Sequence, residues 1–139
     1  AQFERARQGI VPHVGLLGFV ATVAAYQHGN EWEKQLLEYL RGNWDFLVDY
    51  VRQNIPSMAV TIPEATYLAW LDCNKLDLPT NAQQFFVEEA KVAFNEGSTF
   101  GQSGEGFVRF NFGCPRATVE EGLERMTHAL ATLKPALAS

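Results

Sequence analysis

The sequence predicts an α+β domain, a small mostly antiparallel sheet with helices packed on one side, and three features carry that prediction. Apolar residues recur at three- and four-residue spacing from about Asn30 to Asn54, and again after Thr118, which is the period of half-buried helices. Phe107 to Phe112 alternates strictly, the period of a strand with one buried face. Further short strand-like runs lie between helical ones, with no internal repeat or low-complexity segment, so helices and sheet share one core. At 139 residues the chain is one ordinary domain, long enough for a real core and too short for two.

In chain order, the first dozen residues read as an exposed lead-in, with Phe3 flanked by charge and Gly9 and Pro12 as punctuation. Val14 to His28 is rich in Ala, Leu and Val and stops at Gly29, a helix with a glycine end. It is apolar almost all round, so every side asks for burial, which reads as a surface made for a partner. The helix from Asn30 to Asn54 has Asn30 as its cap, Glu31 and Glu33 in its first turn, and Pro56 as its stop. Its stripe is Trp32, Leu36, Leu40, Trp44, Leu47, Val51 and Ile55. Strands over Ala59 to Ile62 and Thr66 to Leu71 flank the Pro63-Glu64 turn, with Tyr67 and Trp70 on opposite faces of the second, both as core. Thr80 or Asn81 caps a helix to about Glu89, with Gln83 and Gln84 in capping-box positions. Lys91 to Asn95 reads as a short strand and Glu96 to Gly106 as a glycine-rich loop. In the strand from Phe107 to Phe112, Val108, Phe110 and Phe112 point one way and Phe107, Arg109 and Asn111 the other. Thr118 caps the last helix, with Glu121 three residues on and a stripe of Val119, Leu123, Met126, Leu130 and Leu133.

Composition excludes several classes of function. A net charge of −5 argues against nucleic acid as a partner. The best candidate for a membrane span, Val14 to Tyr26, falls short of the roughly 20 residues needed, so no membrane is expected. There is no basic segment followed by an apolar run and cleavage site, so no secretory signal is read. Cys73 and Cys114 form no C-x-x-C pair, and two isolated thiols point to a reducing, cytoplasmic setting. His13, His28 and His128 lack metal-ligand spacing, so no metal is expected. His28 sits near a helix end, where a cation is welcome. Glu120, Glu121 and Glu124 read as a solvated helix face, and Cys114 as a buried small hydrophobe.

The segment from Lys91 to Arg116, KVAFNEGSTFGQSGEGFVRFNFGCPR, is where the chain turns informative. Arg109 lies on the polar face of a strand, just after a loop with Gly97, Gly101, Gly104 and Gly106. A guanidinium there can grip a carboxylate through two parallel hydrogen bonds, which a lysine cannot match. It can equally serve as one half of an ion pair on the sheet face; the residues alone leave both roles open. Asn111, two residues on and on the same face, could orient the guanidinium or a ligand. The glycines enter a strand instead of opening a helix, and no Walker-type lysine follows, so the loop is not a phosphate cradle.

The same block, with Gly106-Phe107-Val108-Arg109-Phe110-Asn111 followed by Gly113-Cys114-Pro115-Arg116, resembles the C-terminal domain of fold-type I pyridoxal-phosphate (PLP) enzymes, the aminotransferase class I/II superfamily. Within it the likeness is to the MalY/PatB-type cystathionine β-lyase branch. Ala24-Ala25-Tyr26 through Gly29, Trp32, Leu36, Leu37, Tyr39, Leu40 and Asn43 is similar to that family, as is Pro63-Glu64-Ala65-Thr66-Tyr67-Leu68-Ala69-Trp70-Leu71-Asp72. The resemblance runs through nearly the whole chain in order. It implies the small C-terminal domain of the aminotransferase fold over 30–139, with a long interdomain helix near 30–54. Residues 1–29 would pack on an N-terminal PLP domain and on the partner of a homodimer.

By the same resemblance, Arg109 matches the arginine that binds the α-carboxylate of an amino-acid substrate. Asn111 and Ser98-Thr99-Phe100-Gly101 would form the rim. The family holds PLP on a lysine, with an aspartate at the pyridine nitrogen. Lys34, Lys75, Lys91 and Lys134 all lack that context, so PLP belongs to the full-length enzyme and not to this chain. The expectation is a fragment, inactive alone, with no catalytic, cofactor-binding or metal-binding residue of its own. It would supply the carboxylate clamp of a C-S β-lyase for cystathionine or related cysteine conjugates. An amino-acid aminotransferase and a stand-alone, non-catalytic module that binds an amino acid or a protein are the alternatives.

Overall fold

The computed structural model describes residues 2–7 and 15–133. The readings placed on Gly9, Pro12, His13, Val14 and Lys134 lie outside them. By internal contacts the chain divides into two compact units, Ala1–Glu38 and Tyr39–Ser139. The boundary falls inside the long helix.

In the first unit, α1 (Gln2–Arg7) stands where only a lead-in was expected, and α2 (Leu16–His28) follows Gly15. α2 buries none of its residues: Leu17 and Tyr26 are each 84% exposed. Gly29 joins α2 to α3 (Asn30–Asn54): its N–H donates to Ala25 O at 2.7 Å and its carbonyl accepts from Glu33 N at 2.9 Å. Gly29 and not Asn30 therefore caps α3. The expected stripe is also shorter than its spacing implies. Trp32 is 69% exposed and Leu36 only half-buried, while Leu47, Val51 and Ile55 are buried. Apolar period alone does not say where a helix has something to pack on.

The second unit holds a four-stranded sheet in the order β1-β2-β4-β3, antiparallel throughout. Its strands are β1 (Ala59–Thr61), β2 (Leu68–Asp72), β3 (Asn95–Glu96) and β4 (Phe107–Asn111). β2 starts two residues later than expected because Thr66 is left-handed (φ 74°) and accepts from Leu68 N through its hydroxyl. Tyr67 consequently lies outside the strand and is half-exposed, so it is not core. The strand expected over Lys91 to Asn95 contracts to Asn95–Glu96. Lys91 instead closes a π-helical turn (Phe86–Ala90) that continues α4 (Ala82–Phe85). Asn81, not Thr80, is the α4 cap, accepting from Gln84 N at 2.8 Å.

α5 (Arg116–Leu133) starts two residues before Thr118. The Pro115 carbonyl accepts from Thr118 and Val119, so the expected Thr118 cap is not used. Ala69, Leu71, Val108 and Phe110 form the buried face of the sheet, and they cluster with Leu47 and Val51 of α3 and Val119, Leu123 and Met126 of α5. Gly122 of α5 rests over the Phe110 ring. Helices on one face of a small antiparallel sheet make the fold α+β, as the sequence indicates.

The chain after β4 is pinned by Asn43, fully buried in the α3 stripe. Its Nδ2 donates to Phe112 O at 3.0 Å and Cys114 O at 2.9 Å, and its Oδ1 accepts from Arg116 Nε at 2.8 Å. Every polar atom of that amide but one hydrogen-bond site is used, which is how a buried amide avoids a desolvation cost of about 1–3 kcal/mol. Arg116 also lays its guanidinium over Phe46, 4.8 Å from the ring centre.

Candidate functional site

The other face of the sheet carries Trp70, Phe107, Arg109 and Asn111. The register pairs Trp70 of β2 directly with Arg109 of β4, and Asn95 of β3 pairs with Arg109 from the opposite side. Asn95 Oδ1 accepts from Arg109 Nη2 at 2.9 Å. Phe100 covers the guanidinium, its ring centre 4.6 Å from Cζ. Trp70 meets Phe100 edge-on at 5.8 Å and stacks on Phe107 at 5.6 Å. A cation beside aromatic faces gains about 0.5–1 kcal/mol or more as water is excluded.

Phe100 reaches Arg109 because the glycine-rich loop folds on itself through two short 3-10 turns, Gly97–Phe100 and Gln102–Gly104. Gly97 and Gly104 meet back to back: a Cβ on either would lie near 2.1 or 2.2 Å from the other's carbonyl oxygen. Gly106 then enters β4 with φ 78°, a conformation only glycine adopts freely. Gly97 and Gly104 serve the close approach of backbone to backbone, and Gly106 leaves room for the Asn74 side chain.

Arg109 is held but not satisfied. Its Nε is sealed from solvent with no hydrogen-bond partner among the described residues. The ion pairs found there join Arg52 to Asp49 and Arg125 to Glu121, and none involves Arg109. The sheet-face ion pair that the sequence left open is not formed among the described residues. Asn111 forms no hydrogen bond with Arg109; it is exposed, and its Oδ1 accepts from Gly113 N at 2.8 Å. Asn95 makes the hydrogen bond to Arg109 instead, and its signal is strand register, which the sequence alone does not display. Trp70 belongs to this aromatic wall and is half-buried, so it is not core as expected.

The remaining candidates stay apart. Cys73 is buried, and its thiol is pushed up to about 12, chiefly by burial and then by Asp72. Cys114 is half-buried, not buried as expected, and burial raises its thiol too. Neither is a poised nucleophile. Among the described residues no cluster of His, Cys, Asp or Glu could hold a metal, and no helix is long and apolar enough to cross a membrane. His28 lies in the last turn of α2. A cavity of 290 Å³ lined by Ile55, Leu76, Asp77, Thr127 and Leu130 does not include Arg109.

PLP does not fit the described residues. Lys34 and Lys75 are exposed, and Lys91 Nζ donates to Glu88 O at 2.6 Å. Among the described residues, no lysine stands among the partners of Arg109.

No protein-family model matches the chain. Protein MalY of Escherichia coli is 39% identical over 120 residues, 86% of this chain and 31% of that protein. Cystathionine β-lyase PatB of Bacillus subtilis is 35% identical over 84% of this chain. The PLP-bound C-S lyase of Staphylococcus hominis has the same fold over 94% of this chain and 33% of its own, with a TM-score of 0.85 at 30% identity. The chain matches the C-terminal domain of the MalY/PatB-type enzymes. It spans about a third of the length of these relatives. Their family is PLP-dependent, and aminotransferases are its more distant relatives.

Proposed function

We propose that this MalY/PatB-type chain is the substrate-carboxylate-binding domain of a PLP-dependent C-S β-lyase for cystathionine or related cysteine conjugates. The state of Arg109 supports this reading. Its guanidinium is fixed, carries no counter-charge from the described residues, and keeps a buried Nε without an acceptor. An unpartnered buried donor costs about 1–3 kcal/mol. An α-carboxylate gripped by the guanidinium through charge-assisted bonds supplies the missing counter-charge and orients the amino acid. Asn111, exposed on the same face, is assigned to the rim of the site.

Residues 30–139 form the small domain in this reading, with α3 leading into it. The exposed Leu17, Phe19 and Tyr26 of α2 belong against the larger PLP domain or the second subunit of a homodimer. Both cysteines are free, in keeping with a reducing cytoplasmic setting. PLP, bound by the rest of the enzyme, supplies the electron sink. This chain binds and orients the substrate and is inactive alone.

The test is the full-length enzyme carrying this domain, supplied with PLP and L-cystathionine, with the present chain as control. Pyruvate from the full-length form alone is the expected result. Keto-acid exchange without pyruvate makes the enzyme an aminotransferase, and neither activity overturns the reading in favour of a non-catalytic binding module.

A further inference from the structure

β3 is two residues long, and one of the two is Asn95, in register with Arg109. Immediately after it the chain turns through Gly97–Phe100 and brings Phe100 over the same guanidinium. One six-residue segment therefore supplies both a hydrogen bond at 2.9 Å and an aromatic wall to Arg109. An arginine side chain is long and flexible, and a fork held in one plane loses less freedom when a ligand arrives. The residue type at 95 matters. A neutral amide oxygen orients the guanidinium without discharging it, whereas an aspartate would orient it and also compete for it, and an apolar residue would do neither.

We propose that Asn95, assisted by Phe100, is the positioning residue for Arg109, holding its guanidinium ready for the substrate carboxylate. The proposal rests on the carboxylate-binding reading above. Asn95 does not itself touch substrate; it acts through Arg109.

The experiment uses the full-length enzyme with S-methyl-L-cysteine as substrate and methylthioethylamine, the same molecule without its carboxylate, as competitive inhibitor. Asn95→Ala is expected to raise KM about tenfold, the size of a lost hydrogen bond to a charged group. It should leave kcat within about twofold, the pattern of lost ground-state and transition-state binding alike. Asn95→Asp should raise KM further, although it preserves shape and hydrogen bond. Neither variant should change the inhibition constant of the amine. A wild-type KM in Asn95→Asp, or equal weakening of substrate and amine, overturns the proposal. Arg109→Lys is the control. If it raises KM and the Asn95 variants do not, only the positioning role fails; if it too leaves KM unchanged, the carboxylate reading fails with it.

Discussion

The two faces of the sheet are built from the same two strands and have opposite characters. Ala69, Leu71, Val108 and Phe110 are buried at 0–5% exposure beneath α3 and α5. One residue along in each case, Trp70, Phe107 and Arg109 are half-buried and form a wall around a single cation. The first face has apolar contacts and, among the described residues, no buried side-chain polar atom without a partner. The second retains a charge with an unpartnered Nε. Period-two alternation makes this division possible, since adjacent residues serve different surfaces. In the proposed reading, one face is organised for stability and the other for a ligand, at some cost in stability.

Mutations on the two faces should separate cleanly, beginning with the largest effect. Leu123→Ala, under the dry face, is expected to cost about 3 kcal/mol in urea unfolding, from lost transfer energy and the cavity left behind. Substrate KM in the full-length enzyme should stay near wild type. A large change in KM would mean that the faces are not independent.

A smaller effect is expected from Cys73, also buried with the core. Burial, then Asp72, keeps its thiol protonated in the folded state up to about 12, against an ordinary value of 9.0. The unfolded chain ionises first, so this contribution is intact below about 9 and lost as pH rises towards 12. Between those limits the wild type should lose stability faster than Cys73→Ala, by on the order of 1 kcal/mol per pH unit. Equal slopes in denaturation at several pH values would show that the thiol does not titrate as described.

The dry face was the legible one. Alternation placed Val108, Phe110 and Phe112 inward, and the α5 stripe placed Val119, Leu123 and Met126, because burial against a core leaves a periodic trace. Ends were less legible. Thr66 and Lys91 adopt left-handed backbone that no apolar pattern marks, and they moved the starts of β2 and β3. On the opposite face, Arg109 was visible as a cation inside an alternating strand. Asn95 was not, because its relation to Arg109 exists only once β3 and β4 are in register. Asn43, among Leu40, Trp44 and Leu47, is an amide inside an apolar stripe. Such an amide needs buried partners, and Phe112, Cys114 and Arg116 provide them.

Arg109→Lys in the full-length enzyme, with substrate affinity and thermal unfolding measured on the same preparation, tests the central claim most directly. A lysine keeps the charge but not the planar fork. Affinity for the amino-acid substrate should fall about a hundredfold. Thermal stability should hold or rise, because the unpartnered buried Nε is removed. Unchanged affinity with a lowered melting temperature would contradict the account and make Arg109 a structural residue of the sheet.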